Sequence, residues 1–141
     1  MTEQDLIEIK WTAAFAGFGV DWLFSELAGL GVMALVLVLK GMSLDSAEAI
    51  PAEVVLARQL VGVLGAVVGG VVAGYLARRR GSLHGLLGSL IGLVVFFCSI
   101  PLLEDLALNV GDLGFIVLNL VGAAYGGKLG ERWRARREED A

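Results

Sequence analysis

Charged residues fall in a few short stretches of this chain, and between them run apolar segments long enough to cross a bilayer. From Val61 to Leu76 there is no charge, glycine recurs at 62, 65, 69, 70 and 74, and the segment stops at Arg78, Arg79 and Arg80. A lipid-embedded helix reaches a charged surface in this way. A span needs about 20 predominantly apolar residues. In a bilayer the backbone must satisfy its own hydrogen bonds, so helix is expected even where each glycine would cost about 1 kcal/mol relative to alanine in water. Four segments qualify, at about 11–39, 54–77, 83–103 and 107–128. The pattern predicts an all-α fold: an integral membrane bundle of four transmembrane helices, forming a single membrane domain over residues 1–141.

The first span, Trp11 to Leu39, would be about 43 Å of helix, more than the hydrocarbon core needs, so it must tilt, kink or begin in the headgroups. A competing reading makes Ile7 to Val20 an interfacial helix and starts the span near Trp22. Ser46 with Glu48, or Pro51 with Glu53, is expected to open the second helix. Gly81 is expected to break that helix after the arginines in a tight turn, and Pro101 to kink the outer end of the third. The tail from 129 to 141 mixes arginine with acid and is expected to carry the fourth helix out of the membrane.

The glycines fall at helical spacing. Gly65 with Gly69, and Gly70 with Gly74, are overlapping GxxxG pairs, while Gly85, Gly88 and Gly92 share a face of the third span. Apolar side chains gain little by leaving lipid for another helix, so association depends on the close backbone contact that small residues permit. These faces pack either within the chain or across a homo-oligomer interface. Gly122 and Gly126 in the fourth span echo Gly70 and Gly74, and both segments end in basic residues, the pattern of a weak internal repeat of two helical hairpins.

Composition agrees with a membrane class: 57% of residues are hydrophobic, 20 are glycine, and the mean hydropathy is +0.77. The single cysteine, Cys98, excludes an intrachain disulfide. The opening MTEQDLIEIK is not the basic start of a cleavable signal peptide, so the first span is expected to remain attached. The net charge of -4 conceals an asymmetry. Arg78, Arg79 and Arg80 sit between spans two and three, and Lys128, Arg132, Arg134, Arg136 and Arg137 follow span four, whereas Asp45, Glu48, Glu53, Glu104, Asp105 and Asp112 occupy the other two connections. By the positive-inside rule the basic turn and tail are cytoplasmic, which puts both termini inside and makes this a multi-pass protein of the cell membrane. The tail arginines would also attract anionic lipid.

Ionisable side chains inside spans are expensive and are functional hypotheses by default. Counting rise from the basic ends puts Asp21 about 15 Å deep, Glu26 about 22 Å, Arg58 about 30 Å and Asn119 about 13 Å. The counts pair Glu26 with Arg58, and place the Asn119 amide within reach of Asp21 across a glycine-lined contact. Asp21 then reads as a polar clasp fixing helix register, or as a protonatable or cation-binding carboxylate in a transport path. His84, just after the arginine turn, reads as a surface residue bonding a helix-terminal group rather than as a metal ligand, since no second histidine or cysteine cluster accompanies it. Trp11, Trp133, Tyr75 and Tyr125 fall near the inner boundary, where an aromatic belt belongs. No catalytic constellation stands out, and the glycines lack the βαβ context of a dinucleotide loop. No enzyme activity, cofactor, metal or nucleic-acid partner is expected.

Read together, TAAFAGFGVDWL, VVGGVVAGYLARRRGSLHGLLGSLIG and the closing GGKLG make the chain resemble a group of small four-span bacterial and archaeal membrane proteins of unknown function, including the YrzE-like proteins. The GG-x-x-AG-x-x-A-RR-x-x-x-x-HG pattern over Gly69 to Gly85 carries most of the resemblance, with Asp21 in the first span. It implies the four-span topology and no particular activity. Two functions are expected on the residues alone. One is a non-enzymatic structural or accessory subunit that acts through glycine-mediated packing, as a homo-oligomer or in a larger membrane complex. The alternative is a small ion or proton-coupled transporter or channel using Asp21.

Overall fold

The computed structural model describes residues 9–41, 52–99 and 110–141, and among these every regular element is a helix. Four helices follow in order: α1 (Trp11–Leu39), α2 (Ala52–Ala77), α3 (Gly81–Ser99) and α4 (Val110–Glu139). Each is long and apolar enough to cross a membrane, so the protein is a multi-pass helical bundle. α1 runs unbroken through Trp22, leaving no junction between an interfacial helix and a span. α4 continues past the apolar segment into the arginine-rich tail as far as Glu139. The expectations for Ile7, for Ser46, Glu48 and Pro51, and for Pro101 with Glu104 and Asp105 lie outside the described residues, as do the outer ends placed at 103 and 107.

The glycine contacts set the helix directions. Gly17 of α1 meets Gly69 and Ala73 of α2 while Asp21 meets Gly65, so these helices are antiparallel. Gly70 meets Ala123, and Gly74 meets Gly127, so α2 and α4 are parallel. Gly81 and Gly85 approach Gly127 and Ala123 in antiparallel order, and Gly88 sits on Ala14 and Phe18 of α1. The four helices therefore alternate in direction, up and down through the bundle. α2 lies against all three other helices, whereas α1 and α4 are the one pair without an extensive contact. Lys10 and the C-terminal half of α4 come to the same, arginine-bearing end of the bundle, here the basic end.

Small residues form the interior. Ala13, Ala14, Ala66, Ala73, Ala77 and Ala123 are buried, joined by Val54 and Leu37, while bulky side chains such as Phe15, Leu27, Leu64, Leu113 and Val121 face outward. A water-soluble domain does the reverse. Where lipid is the solvent, bulk at the surface costs nothing, and smallness inside gives the backbones their approach.

Adjacent glycines serve different partners. Gly65 and Gly69 take the α1 backbone near Asp21, Gly70 and Gly74 take α4, and Gly122 and Gly126 take Val63 and Val67 of α2. Successive helical residues point about 100° apart, so Gly69 and Gly70 open two faces where the overlapping pairs read as one. All six glycines assigned to helix packing thus meet helices of their own chain. Gly19, Gly31 and Gly114 have open space where a side chain would stand.

The basic end is held by polar contacts that cross between helices. Glu131 of α4 accepts the N–H groups of Arg80 at 3.1 Å and Gly81 at 2.7 Å, capping α3 with a carboxylate where the helix dipole favours one. Arg134 donates to the Tyr75 carbonyl at 3.1 Å, closing the C-terminus of α2, and its guanidinium lies 5.5 Å from the Tyr75 ring centre. The turn between α2 and α3 differs from the expected one. Gly81 does not break α2: it is the first residue of α3, and its lack of a side chain lets α3 sit on Gly127. The left-handed backbone falls instead on Arg78 (φ 70°) and Arg80 (φ 53°), at a cost of about 1–3 kcal/mol each that the crossing contacts offset.

Candidate functional site: a polar cavity among the four helices

At the opposite end the helices separate, and a cavity of about 590 Å³ lies among them. α1 contributes Phe18, Asp21, Trp22 and Ser25; α2 contributes Gln59 and Gly62. Ser89, Gly92, Leu93 and Phe96 of α3 and Asp112, Phe115, Ile116, Asn119 and Leu120 of α4 complete it. The cavity exists because α1 and α4 each pack on α2 and α3 but scarcely on each other, and because Gly62 leaves its wall without a side chain, whereas Gly92 takes the Phe18 ring.

Asp21 is placed by the glycines opposite it. A methyl group at Gly69 would come within 2.7 Å of the Asp21 Cβ, and one at Gly65 within 2.7 Å of Oδ1, so only glycine lets α1 approach α2 here. Ser25, one turn on, donates its hydroxyl to Asp21 Oδ1 at 3.1 Å. Asp21 is half-buried, held by its own helix and directed at the cavity. Across the cavity, Gln59 donates to Asp112 Oδ1 at 3.0 Å, tying α2 to α4.

The sequence-based pairings are not formed. Asn119 gives its amide N–H to the Phe115 carbonyl of its own helix at 2.8 Å rather than to Asp21, and the two residues share the cavity without bonding. A side-chain amide one turn from a main-chain carbonyl of its own helix bonds locally more readily than across a gap of this size. Glu26 and Arg58 do not pair either: both are exposed on the outer surface, and the Arg58 stem lies beside Gly29. Counting depth gives height along a helix but not direction around it.

Comparison with protein-family models, with curated proteins and with solved structures gives no match to this chain.

The remaining candidates resolve at the basic end. His84, expected at the surface, is only 2% exposed. Its Nε2 accepts the Lys10 backbone N–H at 3.0 Å, so the proton sits on Nδ1, which donates to the Arg80 carbonyl at 3.1 Å. It ties the starts of α1 and α3 together, and its two ring nitrogens are both occupied. Arg78, Arg79, Arg80 and Arg132 are exposed, whereas Arg134 is half-buried and also pairs with Glu138 at 2.8 Å. Among the described residues no group of three or more metal-ligating side chains comes together.

Sequence reasoning missed Ser25, Gln59, Ser89 and Asp112 as parts of one site. Two signals were available. Ser25 follows Asp21 by one turn, and Gln59 precedes Gly62 by three residues, on the small-residue face of α2. Nothing in the sequence marks the gap between α1 and α4, which arises from how the glycine faces are shared out.

Proposed function

We propose that this protein is a small transporter or channel rather than an enzyme, and that it holds a solute or ion in the cavity beside Asp21. The cavity is the observation that carries the reading: its volume falls in the range of about 300–1,000 Å³ typical of small-molecule sites, and its apolar walls carry a few convergent polar groups. The six packing glycines are in keeping with it, because each meets a helix of its own chain. An intramembrane carboxylate facing a cavity is the usual mark of a solute or proton path. Reconstituted in liposomes, the wild type should pass a solute or ion in a pH-dependent manner, and Asp21→Asn should abolish the flux. A wild type inert under sodium, potassium, proton and organic-ion gradients would remove the reading.

The orientation belongs to the same proposal. The basic end faces the cytoplasm of a cell membrane, with both termini inside, because the arginines gather at that end. Cysteine introduced at Arg79 in a Cys98→Ser background should react with an impermeant maleimide only after the cells are opened.

A second reading, assembly as a homo-oligomer or as an accessory subunit of a larger complex, is favoured by Glu26 and Arg58. Both are charged side chains exposed within membrane-spanning helices, and neither makes an ion pair among the described residues. A neighbouring chain would supply what lipid does not. The mass of the gently solubilised particle, with every co-purifying chain identified, decides it: a bare monomer excludes this reading.

A further inference from the structure

We infer that the cavity is built for an organic cation: a protonated or quaternary ammonium, or a similar soft monovalent cation, carrying an aromatic or branched aliphatic body. The inference rests on the cavity being the working site of the protein and goes on to name the class of its solute.

The sign of the charge follows from the lining. Asp21 and Asp112 both face the cavity, and among the described residues no lysine, arginine or histidine lines it. The nearest basic side chain in sequence, Arg58, lies on the other side of α2 against Gly29, and His84 is engaged at the basic end. An anion entering here would meet two carboxylates and, among the described residues, no basic side chain in the lining, in a low-dielectric setting where that repulsion is poorly screened.

The chemical class follows from the walls. Phe18, Trp22, Phe96 and Phe115 bring aromatic rings from α1, α3 and α4 to the same space as the carboxylates. Ring faces attract a diffuse cation and also cover the apolar surface of whatever carries it. A bare metal ion is served poorly by such a site. Calcium and magnesium take six or more oxygen ligands at short range, whereas here two carboxylates and a few neutral polar groups are spread around a space large enough for a drug-sized molecule. The amides of Gln59 and Asn119 and the hydroxyls of Ser25 and Ser89 leave room for one or two specific hydrogen bonds from an ammonium N–H.

Two probes of one shape and opposite charge test this: tetraphenylphosphonium and tetraphenylborate, titrated calorimetrically against the full chain in lipid nanodiscs, with empty nanodiscs subtracted. The phosphonium should bind saturably at one site per chain, weaken at least tenfold in Asp21→Asn, and weaken several-fold in Trp22→Leu. The borate should show no saturable site. Asp21→Asn keeps the shape of the side chain and its bond from Ser25, and an unchanged helical spectrum confirms that it folds. Equal binding of both ions, absent binding of the phosphonium, or phosphonium binding indifferent to Asp21→Asn each overturns the inference. The liposome flux assay separates this failure from that of the parent reading. Flux that depends on Asp21 without phosphonium binding leaves the cavity as the site and rejects only the organic cation, whereas loss of both removes the two together.

Discussion

Single side chains do two kinds of work here. Glu131 and His84 hold the starts of helices other than their own: Lys10, the N-cap of α1, makes no side-chain cap bond and gives its N–H to His84, and Glu131 takes the N–H groups at the start of α3. Glu131→Ala should cost about 0.5–2 kcal/mol, the usual range for a lost N-terminal cap. His84→Leu should cost about 1–3 kcal/mol, because it leaves a part-buried N–H without an acceptor. Thermal unfolding in a mild detergent measures both, and Arg132→Gln, which changes an exposed side chain with no such role, should stay within about 0.5 kcal/mol. His84 shows why this layer was hard to read from sequence. Its proximity to Arg80 is local, but its other partner lies 74 residues away, and only the parallel packing of α1 and α3 brings them together.

At the scale of the helix, the question is which face meets which neighbour. Four helices and the small-residue faces were legible in the sequence, since hydropathy and spacing are properties of one segment at a time. The partner of each face was not, because a GxxxG spacing says that something approaches closely without saying what. Asp21 and Asn119 line the same cavity without bonding to each other, and Glu26 and Arg58, expected as a pair, are both exposed. The assignment of faces yields a contrast. Gly74→Leu places a side chain on the Gly127 backbone and should destabilise the bundle by about 3 kcal/mol or more, since backbone cannot yield as a flexible side chain can. Gly114→Leu, four residues from Leu118 on the same helix, enters open space and should be nearly neutral. Comparable losses at both positions would show that the α2–α4 contact is misassigned.

For the molecule as a whole, one end is tied and the other is hollow. Among the described residues the basic end carries the crossing bonds of His84, Glu131 and Arg134, while the opposite end has the Gln59–Asp112 bond, the exposed Lys40–Glu53 pair and a cavity. Gly62 offers a way to separate stability from function. It lines the cavity, and a Cβ there would have only Asn119 Oδ1 nearby, at 4.0 Å, so Gly62→Leu projects into empty space without striking backbone. The variant should fold at least as stably as the wild type, and should lose both flux and phosphonium binding; retained binding would mean that the solute site lies elsewhere.

The inverted interior also bears on how this chain can change. In a water-soluble protein the positions least open to substitution are the large apolar ones. Here those positions face lipid, and leucine, valine, isoleucine and phenylalanine are interchangeable there so long as the span stays apolar. The restricted alphabet belongs to the contacts at Gly69, Gly70, Gly74, Gly85, Gly126 and Gly127, where one added carbon meets a neighbouring main chain. A saturation library screened for folded protein should therefore look like a photographic negative of the familiar pattern. Tolerance would rise with side-chain bulk, and the smallest residues in the sequence would be the ones that cannot drift.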